Sequence, residues 1–478
     1  RAAYNYKGRY LFEVDGRYDG SSKFPRGDRF GFFPSFSLGY RISEEKFFEP
    51  VRSVIDNLKI RASYGTLGNQ DVGSYDYIQS VNTQKVMGNY TFDKVSGGAY
   101  AYADDPVAGN LTWEKVVHKN IGIDLNMLRS RLNLTFDAYI RDVKGILTQG
   151  KSLPSIYGAD EPMVNANDIR TKGWELALGW RDSFKVAGRP FHYAVTATLA
   201  DYTAKYTKVD NPSGILSDPY VGKEVGEIWG YRIGGLFRTT AEAQEYASRI
   251  DLTEVCYDYF RTDAGEYGRG IQAGDMKYLD LNGDNAVNEG AGTLDNPGDR
   301  VKIGNSTPRY TYGLNLSFEW CGFDISAFFQ GVGRRDWYPA NDNIKFWGPY
   351  VRPFASFIPR NFMSDVWSEE NPDAYFPRAR AYSARDSKHS MRNVNDRYLQ
   401  NLAYCRLKNL TIGYSLPERW ISKVGLSKCR IYFSGENLFY FTKLHSDFID
   451  PEQATTNSGN SDAYPWYKTF AFGVNLTF

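Results

Sequence analysis

The feature that most constrains this chain is a period-two alternation of apolar and polar residues, sustained over runs longer than most soluble strands. Phe32, Pro34, Phe36, Leu38, Tyr40 and Ile42 alternate with Phe33, Ser35, Ser37, Gly39, Arg41 and Ser43. Leu132, Leu134, Phe136, Ala138 and Ile140 do so against Asn133, Thr135, Asp137, Tyr139 and Arg141. Tyr310, Tyr312, Leu314, Leu316, Phe318 and Trp320 repeat the pattern, as do Phe470, Phe472, Val474, Leu476 and Phe478 at the end of the chain. Period two puts each set on one face of a strand. The runs are about 9 to 14 residues, against about 5 or 6 for an ordinary strand, and a tilted strand needs about that length to cross a bilayer. Aromatic residues at both ends of the stripes (Tyr10 and Tyr18, Trp174 and Trp180, Tyr310 and Trp320) fit interfacial girdles.

The connections sharpen this reading. Short ones (Leu128–Arg131, Arg181–Pro190, Trp320–Gly322, and helix-like turns at Ser43–Asp56 and Pro417–Gly425) alternate with long ones (Gln70–Asn110, Gly145–Asp168, Asp201–Pro308, Arg334–Asp396 and Lys443–Pro465). With the run Gly226–Phe237 kept out of the wall, twelve strands are expected, the first starting by about Tyr10. Short turns on one rim and long loops on the other describe an all-β, transmembrane antiparallel barrel. A soluble sandwich has no reason to sort its loops by length. It remains as a rival that predicts apolar stripes facing a protein core. An outer-surface binding or adhesion barrel without transport is a second rival.

Composition agrees. Tyr, Phe and Trp make up 16% of 478 residues and Gly is abundant at 45, which suits strands and turns better than helices. No apolar stretch approaches the ~18 residues of a transmembrane helix. A formal charge of +1 argues against a nucleic-acid partner, which needs a basic excess to neutralise phosphates. The chain opens at Arg1 without a signal-like segment and reads as the interior of a longer protein or a mature fragment of one.

Several segments resemble the SusC/RagA-type TonB-dependent transporters of the Bacteroidetes outer membrane. They include Asp19-Gly20-Ser21-Ser22-Lys23-Phe24, Phe33-Pro34-Ser35, Arg61-Ala62-Ser63-Tyr64-Gly65 and Leu111-Thr112-Trp113-Glu114. Lys172-Gly173-Trp174-Glu175-Leu176, Phe328-Phe329-Gln330-Gly331, Leu407-Lys408-Asn409-Leu410-Thr411-Ile412-Gly413-Tyr414 and Glu436-Asn437-Leu438-Phe439 follow in order. The resemblance implies a plugged barrel of about 22 strands, of which this chain would hold the last twelve. The N-terminal plug, the TonB-contacting segment and the signal peptide would lie outside it. It further implies import of an oligosaccharide or peptide, a SusD-like surface lipoprotein as partner, energy from TonB–ExbB–ExbD, and a barrel wall set in outer-membrane lipid. Residues 201–308 and 334–396 become extracellular excursions on this view.

Two groups of residues are singled out as sites. Asp280, Asn282 and Asp284 have the D-x-N-x-D start of a calcium loop, in which oxygens at alternate positions converge on a hard cation. The Ala286 carbonyl and Asn288 continue it. Gly283 is displaced from the usual sixth position, and Ala291 stands where a bidentate acid belongs. Family members often carry Asp-Arg at that point, so Asp299 is expected to take the role after an insertion. A structural Ca²⁺ is one reading and a metal-free Asx turn the other; no cofactor is required. In the loop 334–396, Trp337, Tyr338, Trp347 and Tyr350 offer flat faces near charges, suited to sugar rings or peptides; holding the loop together is the alternative. No enzyme is expected: no two of the four histidines (118, 192, 389, 445) share a metal-ligand spacing, and neither H-E-x-x-H nor G-x-S-x-G occurs. Cys256, Cys321, Cys405 and Cys429 form no C-x-x-C pair. No disulfide is expected between Cys405 and Cys429, which should lie opposite roughly Tyr414. Sequons at Asn133, Asn315, Asn409 and Asn475 read as lumen-facing positions of strands.

Overall fold

A computed structural model describes the chain except residues 74, 85–90, 93–94, 97–99, 104–105, 151–155, 157–160, 261–269, 353–357, 381–383, 386–388 and 456–465. Thirteen strands form one antiparallel sheet: β1 (Ala2–Tyr6), β2 (Tyr10–Gly20), β3 (Phe30–Arg41), β4 (Ile55–Asn69), β5 (Glu114–Met127), β6 (Leu132–Gln149), β7 (Met163–Val186), β8 (Arg189–Lys208), β9 (Arg309–Trp320), β10 (Phe323–Arg334), β11 (Tyr404–Ser415), β12 (Lys428–Thr442) and β13 (Thr469–Thr477). Each strand pairs only with its neighbours in sequence, and the hydrogen-bonded order runs from β1 to β13. Contacts divide the chain into one unit of Arg1–Leu176, Tyr202–Pro212 and Pro219–Lys223, and a second of Ala177–Asp201, Ser213–Asp218 and Glu224–Phe478.

The count exceeds the expected twelve because of β1. It has only five residues and joins β2 through a tight turn in which Lys7 and Gly8 both have positive φ and Arg9 N–H donates to the Tyr6 carbonyl at 3.0 Å. That is the type I′ geometry favoured by strand twist, carried here by Lys-Gly rather than the usual Asn-Gly. The same turn type joins β7 to β8 (Ala187-Gly188) and β9 to β10 (Cys321-Gly322). The run Gly226–Phe237 stays outside the wall: Glu227–Gly230 pairs with Val301–Asn305 and Ile233–Leu236 with Met276–Tyr278, in small sheets of their own.

Strands β6, β7 and β8, with 18, 24 and 20 residues, outrun the expected length. Their extensions are polar in sequence and are stabilised by side chains as well as by the ladder. The Asn165 amide donates to the Gly145 carbonyl at 2.7 Å, the Asp168 carboxylate accepts from Gly145 N–H at 2.8 Å, and Arg170 Nε meets Asp142 at 2.6 Å.

Burial is inverted relative to a soluble sandwich. The apolar stripes of the strands are open: Phe32, Phe36 and Leu38 of β3, and Phe470, Phe472, Val474 and Leu476 of β13 are all exposed, Phe472 to 83%. The largest buried cluster lies in the connections, from Tyr231 to Ile449. Contiguous exposed apolar surface on this scale needs an apolar environment, so the stripes do not face a protein core as the sandwich rival requires. Among the described residues no helix is long and apolar enough to cross a membrane.

Gly331 of β10 is one of the two tightest points of the wall among the described residues, and there the close atom is backbone. A Cβ there would stand 2.2 Å from the Tyr404 carbonyl oxygen and 2.4 Å from the Tyr312 ring, which crosses the glycine to donate to that carbonyl at 3.1 Å. A backbone oxygen cannot swing aside. Gly331→Val is expected to lower stability by roughly 3 kcal/mol, the upper part of the overpacking range. Gly27→Ala, which has open space around it, serves as the control. Thermal unfolding in detergent measures both, and equal midpoints would refute the argument.

Cross-strand register also settles the cysteines. Cys405 lies opposite Phe441, and Cys429 opposite Leu476, its carbonyl accepting from Leu416 N–H at 2.9 Å. Cys429 is therefore two residues further along than the expected Tyr414, which pairs with Ile431. All four cysteines are free thiols.

Candidate functional site

Two features could carry function: the polar face of the sheet and a folded cap built from the long connections of the second unit. On the polar face, arginines bridge strands. Arg61 of β4 lies across Gly122 of β5 and reaches Asp137 of β6, with Nη1 to Oδ1 at 2.6 Å, while its Nε stands 3.3 Å from Asp124. A side chain at position 122 would occupy the guanidinium's place, its Cβ 2.6 Å from Arg61 Cζ. In the second unit Arg430 of β12 spans Gly413 of β11 to Asp324 of β10, with Nε at 2.8 Å. Arg309 grips Asp201 through two hydrogen bonds. Single exposed pairs contribute about 0–1 kcal/mol. Bidentate geometry instead fixes each of these charged groups in place.

The cap takes residues from the connections β8–β9 (209–308), β10–β11 (335–403) and β12–β13 (443–468). Its helix Thr240–Arg249 starts from Thr239, whose hydroxyl accepts from Glu242 N–H at 3.1 Å, while the Glu242 carboxylate accepts from Arg238 N–H at 2.9 Å. Those backbone and Lys277 contacts hold the Glu242 carboxyl below the usual range. The connections are zipped together where Tyr231 N–H donates to the Val394 carbonyl at 2.9 Å and Asp396 N–H to the Tyr231 carbonyl at 3.1 Å. Inside, Trp347, Tyr350, Phe376, Tyr398, Tyr278 and Met276 are buried together. Asp275 has no exposed surface and is paired with Arg380, which also stacks 4.2 Å from the Tyr259 ring centre. Arg385 is buried over Trp347 at 3.9 Å and donates to the Met391 carbonyl and the Asn341 side chain.

The expected aromatic site must therefore be corrected in part. Trp347 is 0% exposed and Tyr350 4%, so neither presents a face to a ligand. The Trp347 indole N–H donates to the Ala340 carbonyl at 2.9 Å, and Tyr350 donates to the Pro377 carbonyl at 2.6 Å. Tyr338 donates to the Asn393 carbonyl at 3.1 Å, and Trp337 packs against the same cluster. Trp347 and Tyr350 lie inside the cap, and Trp337 and Tyr338 are partly buried at its margin. A flat aromatic near charges looks alike in sequence whether it stacks on a sugar or on its own arginine.

Burial of phenols gives the cap an alkaline limit. Burial pushes Tyr338 up to about 12, and raises Tyr278, Tyr350, Tyr375 and Tyr398. A phenol whose folded pKa lies above its unfolded value near 10 contributes stability that is whole below pH 10 and is lost as pH rises through the folded value. Tyr338 alone should forfeit about 2–3 kcal/mol by pH 12. Tyrosinate absorbance is expected to show a class of phenols that resists ionisation above pH 10 and then titrates together with loss of near-ultraviolet circular dichroism. A single smooth titration near pH 10 would contradict the buried placement.

The Asp280–Asn288 loop is satisfied by its own backbone. Asp280 accepts from Gly283 and Asn285 N–H at 2.7 and 2.9 Å, Asn282 from Asp284 N–H at 2.9 Å, and Asp284 from Ala286 N–H at 2.9 Å. Asn288 accepts from Gly290 N–H at 2.7 Å. Asp299, fully buried, accepts from Leu281 and Asn288 N–H at 2.7 and 2.9 Å. All three carboxylates thus accept from amides. Among the described residues no three acidic, histidine or cysteine side chains converge as a metal ion needs. A carboxylate oxygen that accepts one N–H keeps a lone pair for a cation, so these bonds are those of an Asx turn with or without a bound calcium ion.

Residues 1–438 match the family described as TonB dependent receptor-like, beta-barrel. The chain belongs to that family. Its members are β-barrels of bacterial outer membranes. Among curated relatives, TonB-dependent receptor P3 of Formosa agariphila is 26% identical over 504 residues, covering 100% of this chain and 45% of the relative. TonB-dependent receptor SusC of Bacteroides thetaiotaomicron is 26% identical over 491 residues, covering 100% of this chain and 43% of the relative. The structure of the RagAB peptide transporter superposes with a TM-score of 0.72 at 20% identity, covering 100% of this chain and 46% of that one. The chain is thus similar to SusC in sequence and to the RagAB transporter in fold. It spans about half the length of the relatives it matches.

Proposed function

We propose that this TonB-dependent receptor-like chain is the C-terminal part of the wall of an outer-membrane importer, with its long connections outside the cell and its short turns towards the periplasm. The observation that carries the reading is the sorting of connections by length along a sheet paired strictly in sequence order. On this reading residues 201–308 and 334–396 are extracellular, and the arginine–aspartate bridges line the lumen. The remaining half of the parent protein supplies the other strands, the plug and the TonB-contacting segment. The cargo is an oligosaccharide or a peptide. The RagAB relative, named as a peptide transporter, supports a peptide, and SusC supports the general class. A SusD-like lipoprotein would sit over the cap, and TonB–ExbB–ExbD would supply the energy. No catalytic step is assigned.

The test is uptake by the source cells. Fluorescent oligosaccharide and peptide pools are offered to cells carrying the parent protein, to a deletion strain and to a strain lacking TonB. The lipoprotein is sought by affinity purification in detergent. Uptake lost in both mutant strains, with a surface lipoprotein co-purifying, is the expected result. Surface binding that persists without TonB and is never followed by entry would overturn import and favour an adhesion barrel.

A further inference from the structure

One arginine of the polar face is held differently from the others. Arg170, Arg309 and Arg430 each grip a single aspartate through both Nε and Nη2, the fork geometry that suits a permanent brace. Arg406 of β11 is 1% exposed, yet it meets two acids of the β12–β13 connection with less of its fork. Its Nη2 donates to Asp450 at 2.6 Å, its Nε stands 3.4 Å from Glu452, and that Nε makes no hydrogen bond among the described residues. Lys408 reaches Glu452 at 2.7 Å. Leu407, between the two cations, pairs with Phe329, which pairs with Leu314 of the apolar stripe, so period two turns Arg406 and Lys408 to the polar face. The ladder then slips. Phe328 pairs with Asn409 and Phe329 with Leu407, which leaves Lys408 without a cross-strand partner, and Asn437 in the matching stretch of β12 has a φ of 50°. A bulge of this kind re-aims a side chain.

The acids come from a strap, residues 443–455. Leu444 and Ile449 are buried in the cap core, and His445 N–H donates to the Gln400 side chain at 3.1 Å. Glu452 N–H donates to Asp450 Oδ1 at 2.9 Å, and the turn so closed at Asp450-Pro451-Glu452 sets both carboxylates against Arg406 and Lys408. Aromatic rings frame the two cations. Arg406 Cζ lies 4.7 Å from the Tyr440 ring centre and Lys408 Nζ 5.0 Å from that of Trp466, which is 48% exposed. Two cations on one strand, backed by rings, suit a pair of carboxylates. A buried guanidinium with an unmatched donor is costly, so the strap is an imperfect occupant. We propose that Arg406 and Lys408 form a carboxylate-binding site, that Asp450 and Glu452 fill it as a tethered stand-in, and that a cargo with two neighbouring carboxylates displaces them. The inference rests on the lumen placement proposed above and narrows the cargo to an acidic peptide or an acidic oligosaccharide.

The test uses the parent protein in detergent and two fluorescent probes, a short peptide containing Asp-Pro-Glu and an oligogalacturonate. An Asn-Pro-Gln peptide and a neutral oligosaccharide are the controls. D450N/E452Q is expected to bind an acidic probe about tenfold tighter than the native protein does, because a tethered competitor acts at an effective concentration of millimolar order. Adding R406M and K408M to that variant should abolish the gain. A gain with either acidic probe supports the site, and which probe shows it names the source of the carboxylates. In the native protein, millimolar acidic probe should open new protease cuts within 443–455 while the controls open none, an arm that decides the matter even where D450N/E452Q fails to fold. Equal affinity of the folded variant and the native protein for both acidic probes, or a strap equally resistant to protease with and without them, overturns the proposal. Binding is read without TonB. Uptake lost while this binding is retained would therefore sink the importer reading alone, and uptake retained without this binding would sink the stand-in alone.

Discussion

Trp347→Ala is expected to cost about 3–5 kcal/mol, the range for emptying a buried tryptophan site. The ring has no exposed surface and stacks edge-on with Phe346 and Tyr398 at 4.7 and 5.2 Å between centres. Its loss also takes the donor from the Ala340 carbonyl and the face on which buried Arg385 rests. A buried cation deprived of its partner is among the costlier defects in a protein. The loss should be local to the cap. New proteolytic cuts are expected within 209–308 and 335–403, with the strand signal in far-ultraviolet circular dichroism retained. Trp337→Ala, at the margin of the cluster, should cost less. A W347A protein of unchanged stability that had lost cargo binding would restore the ligand-stacking role and defeat the structural one.

That outcome bears on what the sequence could tell. The wall was legible because its physics is periodic: a strand with lipid on one face and polar partners on the other must alternate, and each stripe of β3, β9 and β13 does. Where the environment stops being two-sided, the pattern fades. The segment Asn165–Asp168 looks like loop, yet it is strand, held by the Asn165 and Asp168 side chains rather than by an apolar face. β1 went unseen because five residues cannot establish a period. The cap was less legible still. Its core joins residues more than 200 positions apart, such as Tyr231 and Ile449, and no local spacing encodes such contacts. The arginine bridges left one signal that could have been used: a glycine at a polar-face position of a wall strand, as at Gly122, marks where a neighbour's long side chain must pass.

The same distinction between chemistry that reaches a ligand and chemistry spent on the fold decides the Asp299 site. Asp299→Ala is expected to destabilise the cap by about 2–4 kcal/mol, since removing the carboxylate leaves the N–H groups of Leu281 and Asn288 without their acceptor in a buried position. Asp299→Asn keeps one acceptor oxygen and should recover part of that loss. If the loop is held by these bonds alone, a chelator leaves the unfolding midpoint of the native protein unchanged, and millimolar calcium does not raise it. If calcium is the clamp, the chelator lowers the midpoint towards that of D299A, and D280N costs more stability in calcium than in chelator. The calcium response of the midpoint decides between them, because a carboxylate oxygen that accepts from an amide keeps a second lone pair for a cation. A rise in the midpoint with calcium would establish the D-x-N-x-D sequence as a true ion site.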